Sequence, residues 1–356
     1  MKKLVEVARL FPPETVAERT AAWDRFWQGE NPGRPMILAR SSQSRYTRNV
    51  APETAARNFA ATLEIESKVP YDNLPYFDCD MYPVALASAF GGRVTIREHS
   101  NWIEPVVHKP EDVYRLEPPD VLAGLVGEGV RKYQYVLERL DGYVPPRVPD
   151  MQGPLMTAAM LWKEEDFILA MYDEPDAVHH LLDLVTNHIT AVHQYFRETF
   201  PGAVSVNCPL THMPQELGVG LIQDFAHLLS PDLYAEFGLP YVNRIADRFG
   251  GVLVHCCGVF EQHWPVVARI HNLRGLDTQY PYCNPERVTA AFPDSVHSVT
   301  LDYAEYTRNF ATGDPDAFLK FLIARVPRSV RWQLWADADD LPGIERQVAL
   351  IQAAWQ

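Results

Sequence analysis

The sequence predicts an α/β protein, a (β/α)8 barrel with an N-terminal helical extension. Short apolar runs alternate with segments of helical period along most of the chain, which is the pattern of a parallel sheet covered by helices. Strand candidates fall near residues 36, 74, 149, 204, 252, 274, 298 and 331, and eight such repeats are the number that closes a sheet into a barrel. The length of 356 residues suits one barrel, so a single domain is expected over 1–356. An open doubly wound sheet is the main rival. It calls for a Gly-rich phosphate turn after the first strand, and the chain has neither GxGxxG nor a Walker A sequence.

Each element has its own local reason. Residues 14–29 read as an amphipathic helix with Val16, Ala22, Trp23, Phe26 and Trp27 on its apolar side, and with the turn after it they form an extension over 1–34. Pro35–Arg40 is a short buried strand, followed by a polar loop with Arg45 and Arg48. A helix is expected over 51–67, then a strand-like Asn73–Phe77 that ends in Asp78-Cys79-Asp80. A small-residue helix stops at Gly91-Gly92. Residues 93–120 form an excursion that covers the pocket or packs on a second subunit in a homodimer. Beyond a helix at 121–140 come a strand at 148–154, helices at 155–171 and 175–199, a strand at 203–208 and a loop with His212. Asp224 and Ser230-Pro-Asp232 open helical segments that reach Phe249. The strand at 251–257, a helix at 260–271, strands at 273–277, 296–302 and 329–336, and helices from Asn284, at 314–326 and at 341–355 complete the series.

Composition narrows the function. The net charge is −14 with no basic stripe, which argues against a nucleic-acid partner. No run approaches the ~20 apolar residues of a membrane helix, and the N-terminus lacks the apolar region of a signal peptide. Five cysteines, two of them adjacent, make no disulfide framework and fit a reducing compartment. A cytoplasmic protein acting on a small molecule is expected.

A barrel carries its active site at the C-terminal ends of its strands. Those ends read Arg40 with Arg45, Asp78 and Asp80, Gln152, Asn207 with Cys208 and His212, His255 with Cys257, Asp277 with Tyr280, Asp302, and Gln333 with Asp337. The densest stretch is GGVLVHCCG (250–258): an apolar strand delivers His255 and Cys257 to one face and Cys256 to the other. An imidazole and a thiolate two residues apart can hold one zinc ion. Such an ion activates a water or binds a substrate thiol and lowers its pKa, and thiolate ligands favour the second task. Asp277 and Cys283 are the best third ligands, with Cys208 and Asp337 behind them. Asp78 and Asp80 can stabilise a developing cation or hold ring N–H groups, and Arg40 and Arg45 can clamp carboxylates.

Six stretches taken in order resemble the uroporphyrinogen decarboxylase superfamily, which includes zinc-dependent, corrinoid-linked methyltransferases. They are PYDNLPYFDCDMYPVALASAFGG (70–92), DMQGPLMTAAMLW (150–162), DEPDAVHHLLDLVTNHI (173–189), DFAHLLSPDLYAEFGLPYVNRIA (224–246), GGVLVHCCG (250–258) and LRGLDTQYPYCNPERV (273–288). The resemblance covers most of the chain and implies a (β/α)8 barrel. Its decarboxylase branch implies an Arg-rich segment after the first strand and an Asp after the second, without metal. Here PMILARSSQSRY (35–46) keeps Arg40 and Arg45 but has one residue extra and no Gly, and Asp78 or Asp80 stands at the Asp. The methyltransferase branch implies His-x-Cys on the fifth strand, matched by His255 and Cys257, and a further Cys near the last. SVRWQLWADADD (329–340) has none, which moves the third ligand to Asp277, Cys283 or Asp337.

The resulting expectation is a zinc-dependent methyltransferase moving a methyl group between a corrinoid, or a corrinoid protein, and a thiol or small methylated compound. Its metal residues are His255, Cys257, Cys283 and Asp277, its catalytic residues Asp78, Asp80, Asp302 and Tyr280, and its substrate residues Arg40, Arg45, Gln152, Asn207, His212 and Gln333. The alternatives are a metal-free decarboxylase of a tetrapyrrole or other carboxylated substrate, with Arg40, Arg45 and Asp80 in its pocket, and a non-catalytic barrel that binds a corrinoid protein.

Overall fold

The structure is a computed structural model and describes residues 5–41, 50–69, 71–79, 82–96, 101–301, 313–338 and 340–356. Its strands form a parallel barrel: β1 (Met36–Ser41), β2 (Phe77–Asp78), β3 (Pro146–Arg147), β4 (Val219–Ile222), β5 (Val252–Cys256), β6 (Leu273–Tyr280), β7 (Val296–Leu301) and β8 (Arg331–Ala338). Six of them pair in the order β1-β8-β7-β6-β5-β4, and β2 pairs with β3. Every one of these pairings is parallel.

Two seams join the six-stranded sheet to the β2–β3 pair. On one side, Gln152 bridges Ile222 and Arg147 bridges Val204. On the other, side chains do the work of a missing strand: the Asn73 amide accepts from the Ala39 N–H at 2.7 Å and donates to the Ala39 carbonyl at 2.8 Å. Asp72 accepts from the Ile37 N–H at 2.7 Å and is gripped by both terminal nitrogens of Arg34.

Alternation sorts the strand side chains as the period of two requires. In β1, Met36 and Leu38 pack with Trp23, Phe26, Trp27, Leu253 and Val296. Ile37 and Ala39 instead join Leu322, Ile344 and Val348 of the helical layer. The N-terminal helix Pro13–Trp27 has a proline at its start and lays its aromatic side against the N-terminal end of the barrel. It is tied down by the Trp23 indole, which donates to the Asp72 carbonyl at 2.7 Å, and by Arg19, which donates to the Asn73 carbonyl at 2.6 Å.

The structure corrects several boundaries. The strand expected at 203–208 is reduced to the bridge at Val204, and its place between β3 and β5 is taken by β4. The strand expected at 148–154 pairs at Pro146–Arg147, with one further bridge at Gln152. The helix expected over 155–171 is two helices, Pro154–Leu161 and Glu164–Asp173. That expected over 260–271 is a 3-10 turn, Glu261–His263, and a short helix, Trp264–Val267. The excursion is an antiparallel hairpin, Val94–Ile96 with Asn101–Ile103, followed by a short helix at Pro110–Val113. Its Val106 and Val107 N–H groups both donate to the Leu161 carbonyl. All five cysteines are free. Among the described residues no helix is long and apolar enough to cross a membrane.

Candidate active site

Parallel register builds the centre of the site. Asp277 of β6 pairs with His255 of β5, so neighbouring strands present these two residues side by side. The Asp277 carboxylate lies 2.5 Å from His255 Nδ1 and is fully buried. Burial alone would lower the imidazole pKa; charge facing it from Cys208 and the hydrogen bond to Asp277 outweigh that and raise it well above the ordinary value. The alternating side chains Val254 and Cys256 go to the outer core, which confirms that Cys256 points away from its neighbours in the motif.

The second half of the site comes from β4. The Gln223 N–H donates to the His255 carbonyl at 2.7 Å, and the 3-10 turn Asp224–Leu228 starts there. One Asp224 oxygen accepts from the Cys257 N–H at 2.9 Å and stands 3.6 Å from His255 Nε2. The Cys257 side chain hydrogen-bonds the imidazole, and burial pushes its thiol pKa up. Burial likewise raises Cys208, whose sulfur lies 4.0 Å from the same Asp277 oxygen that meets His255.

His255 therefore joins two groups of metal-ligand type, each with its donor atoms within 4.8 Å of one another. One is Cys208, His255 and Asp277; the other is Asp224, His255 and Cys257. The Asp277 group is the more deeply buried, while Asp224 and Cys257 are each partly exposed. The turn beyond Cys257 is closed down by Gly258, where a Cβ would meet the His227 ring at 2.7 Å.

The expected site residues divide. His255, Cys257 and Asp277 come together. Cys283 does not join either group: it is buried, with its sulfur held by the backbone of Phe260 and Glu261. Asp78 forms an ion pair with Arg147, whose other nitrogen donates to the Asn207 carbonyl at 2.9 Å. Gln152 is buried and donates to Asp150 at 2.9 Å. Tyr280 packs on Phe321 at 4.8 Å between ring centres.

His212 and Gln333 lie at the opposite end of the barrel. His212 accepts from the Leu74 N–H at 3.3 Å and packs against Trp23 of the plugging helix. Gln333 sits beside Met36 at the start of β1 and donates to the Leu210 carbonyl at 2.5 Å. The chain after Cys208 brings Leu210 and His212 to this end of the barrel. Arg40, next to last in β1, is in register with Asp337 of β8. Arg45, Asp80 and Asp302 lie outside the described residues.

Sequence reasoning missed Asp224 and Arg147 as site residues. Asp224 does follow the apolar run VGLI, the same signal that marked the other strand ends. Arg147 carried no comparable signal, since a lone Arg before Val-Pro-Asp has no motif around it.

Fold and site together define a parallel α/β barrel that gathers thiol, imidazole and carboxylate donors at the C-terminal ends of β4, β5 and β6. The chain belongs to the uroporphyrinogen decarboxylase (URO-D) family, which matches residues 32–282. That span holds β1 to β6 and both donor groups. Among solved structures, a methyltransferase from Methanosarcina mazei superposes with a TM-score of 0.70 at 14% identity, covering 100% of each chain, so the two share a fold. No curated protein matches the sequence.

Proposed function

We propose that this member of the URO-D family is a zinc-dependent methyltransferase that moves a methyl group between a corrinoid, free or on a partner protein, and a thiol or small methylated compound. The observation that carries the reading is the pair His255 and Cys257 at the C-terminal end of β5, with one imidazole nitrogen held by buried Asp277. The donor set suits zinc: an imidazole nitrogen, a sulfur that ionises on binding, and carboxylate oxygens within reach. The decarboxylase alternative rests on Arg40, Arg45 and Asp80, of which Arg45 and Asp80 lie outside the described residues.

When bound, zinc supplies the Lewis acidity that turns a substrate thiol into a thiolate at neutral pH. The chain's own residues prepare for that. Asp277 fixes the imidazole ring and leaves Nε2 for the open side. Asp224 holds the Cys257 backbone in place. Leu228, Val259 and Tyr282 are exposed on the segments after β4, β5 and β6, and they offer an apolar rim on which a corrinoid protein docks.

Metal analysis tests the reading. Purified protein is expected to carry about one zinc per chain, and Cys257→Ser to lose it together with demethylation of methylcobalamin by thiols. A metal-free chain with an intact fold, or a Cys257→Ser variant that keeps its zinc, would sink it.

A further inference from the structure

We infer that Asp224 is the third protein ligand of the metal, and that Asp277 is a positioning residue acting through His255; the assignment rests on the metal reading above. The sequence leaves the third position open, since no cysteine stands near the last strand. The structure offers a carboxylate on each side of the imidazole, and distance separates their roles.

Donor atoms around one tetrahedral zinc, at bonds of about 2.0–2.3 Å, stand roughly 3.2–3.8 Å from each other. His255 Nε2 and the Asp224 oxygen are 3.6 Å apart, which is such a spacing. His255 Nδ1 and the Asp277 oxygen are 2.5 Å apart, a hydrogen-bond length with no room for an ion between them. A metal-bound histidine donates its other N–H to a carboxylate in just this way.

Three further observations agree. Asp224 and Cys257 are locked to each other by the 2.9 Å bond from the Cys257 N–H, so carboxylate and thiol arrive as one unit. The Asp224 side chain is 22% exposed and that of Asp277 0%, so only the Asp224 side leaves a position open to substrate. Of the other thiols, Cys208 is grouped with His255 on the Asp277 side, where the 2.5 Å contact leaves no room for an ion, and Cys283 is in neither group. One thiolate and one carboxylate also balance the charge of a divalent ion.

Full-length protein, stripped and reloaded with zinc against a competing chelator, gives the first measurement. Asp277→Asn is expected to weaken zinc about 10–100-fold, the usual cost of losing an outer partner, and Asp224→Asn by more than that. Cobalt(II) reports the ligands directly through the near-ultraviolet sulfur-to-metal charge-transfer band. Wild type is expected to show the intensity of one thiolate, and Asp224→Cys roughly twice that intensity. If Asp224→Asn binds zinc like wild type while Cys257→Ser does not, the metal reading stands and this assignment falls. An unchanged band in Asp224→Cys overturns it too, as does a larger loss in Asp277→Asn than in Asp224→Asn. Wild type that binds neither ion removes both.

Discussion

Asn73 shows how much one side chain can carry. Among the described residues, the edge of β1 away from β8 has no strand beside it along Ile37–Ala39, and Asp72 and Asn73 satisfy its backbone instead. Asn73 is buried, so truncation leaves the Ala39 N–H and carbonyl facing a dry gap. Each unpaired buried group costs about 1–3 kcal/mol. Asn73→Ala should therefore lose roughly 2–4 kcal/mol of unfolding free energy in urea titrations. Asn73→Asp should fare little better, because it keeps the acceptor, loses the donor and buries a charge. A loss under about 1 kcal/mol in Asn73→Ala would mean that water replaces the amide.

At the scale of elements, legibility followed length and alternation. The β5 motif was readable because GVLVHCC has an unbroken apolar run ending in polar residues, and its phase placed His255 and Cys257 correctly opposite Cys256. The Asp277 partnership was readable only as proximity, since strand register is a property of the folded sheet. The failure lay between β3 and β5. The segment AVSVN has the β-branched alternation of a strand and yet bridges at one residue, whereas VGLI, four residues with a glycine, is the strand that pairs. Gly220 is the reason both fit, because a Cβ there would meet Val206 at 2.7 Å and its backbone at 3.0 Å. Losing β4 from the reading also lost Asp224, which β4 positions. Gly220→Ala should force the two segments apart, at about 1–3 kcal/mol for overpacking. It should weaken zinc binding as well, since Asp224 moves with β4. Unaltered stability and metal affinity would show that Val206 can yield.

Over the whole molecule, the barrel is plugged at its N-terminal end and gathers thiol, imidazole and carboxylate donors toward the other, and several of its buried polar side chains are histidines. His188, His193, His212 and His297 are all buried, and burial is the main cause that brings them down to about 4, 3, 3 and 4. Each stays neutral in the native state and takes up a proton on unfolding below an ordinary value near 6.5. The native state therefore has its full share of this stability above pH ~6.5 and loses it as pH falls toward 4. One such group changes the slope by about 1.4 kcal/mol per pH unit, so four together reach roughly 5 kcal/mol per unit near pH 5. His188 isolates the effect: neither ring nitrogen has a hydrogen-bond partner among the described residues, Phe90 meets it edge-on at 5.6 Å, and Asp120 is the charge that opposes its burial. His188→Leu should leave stability at pH 7 unchanged or higher. It should also flatten the acid limb by about one proton's slope in urea midpoints taken at pH 7, 6 and 5. An acid limb as steep as wild type's would show that His188 is already solvated and titrating in the native state.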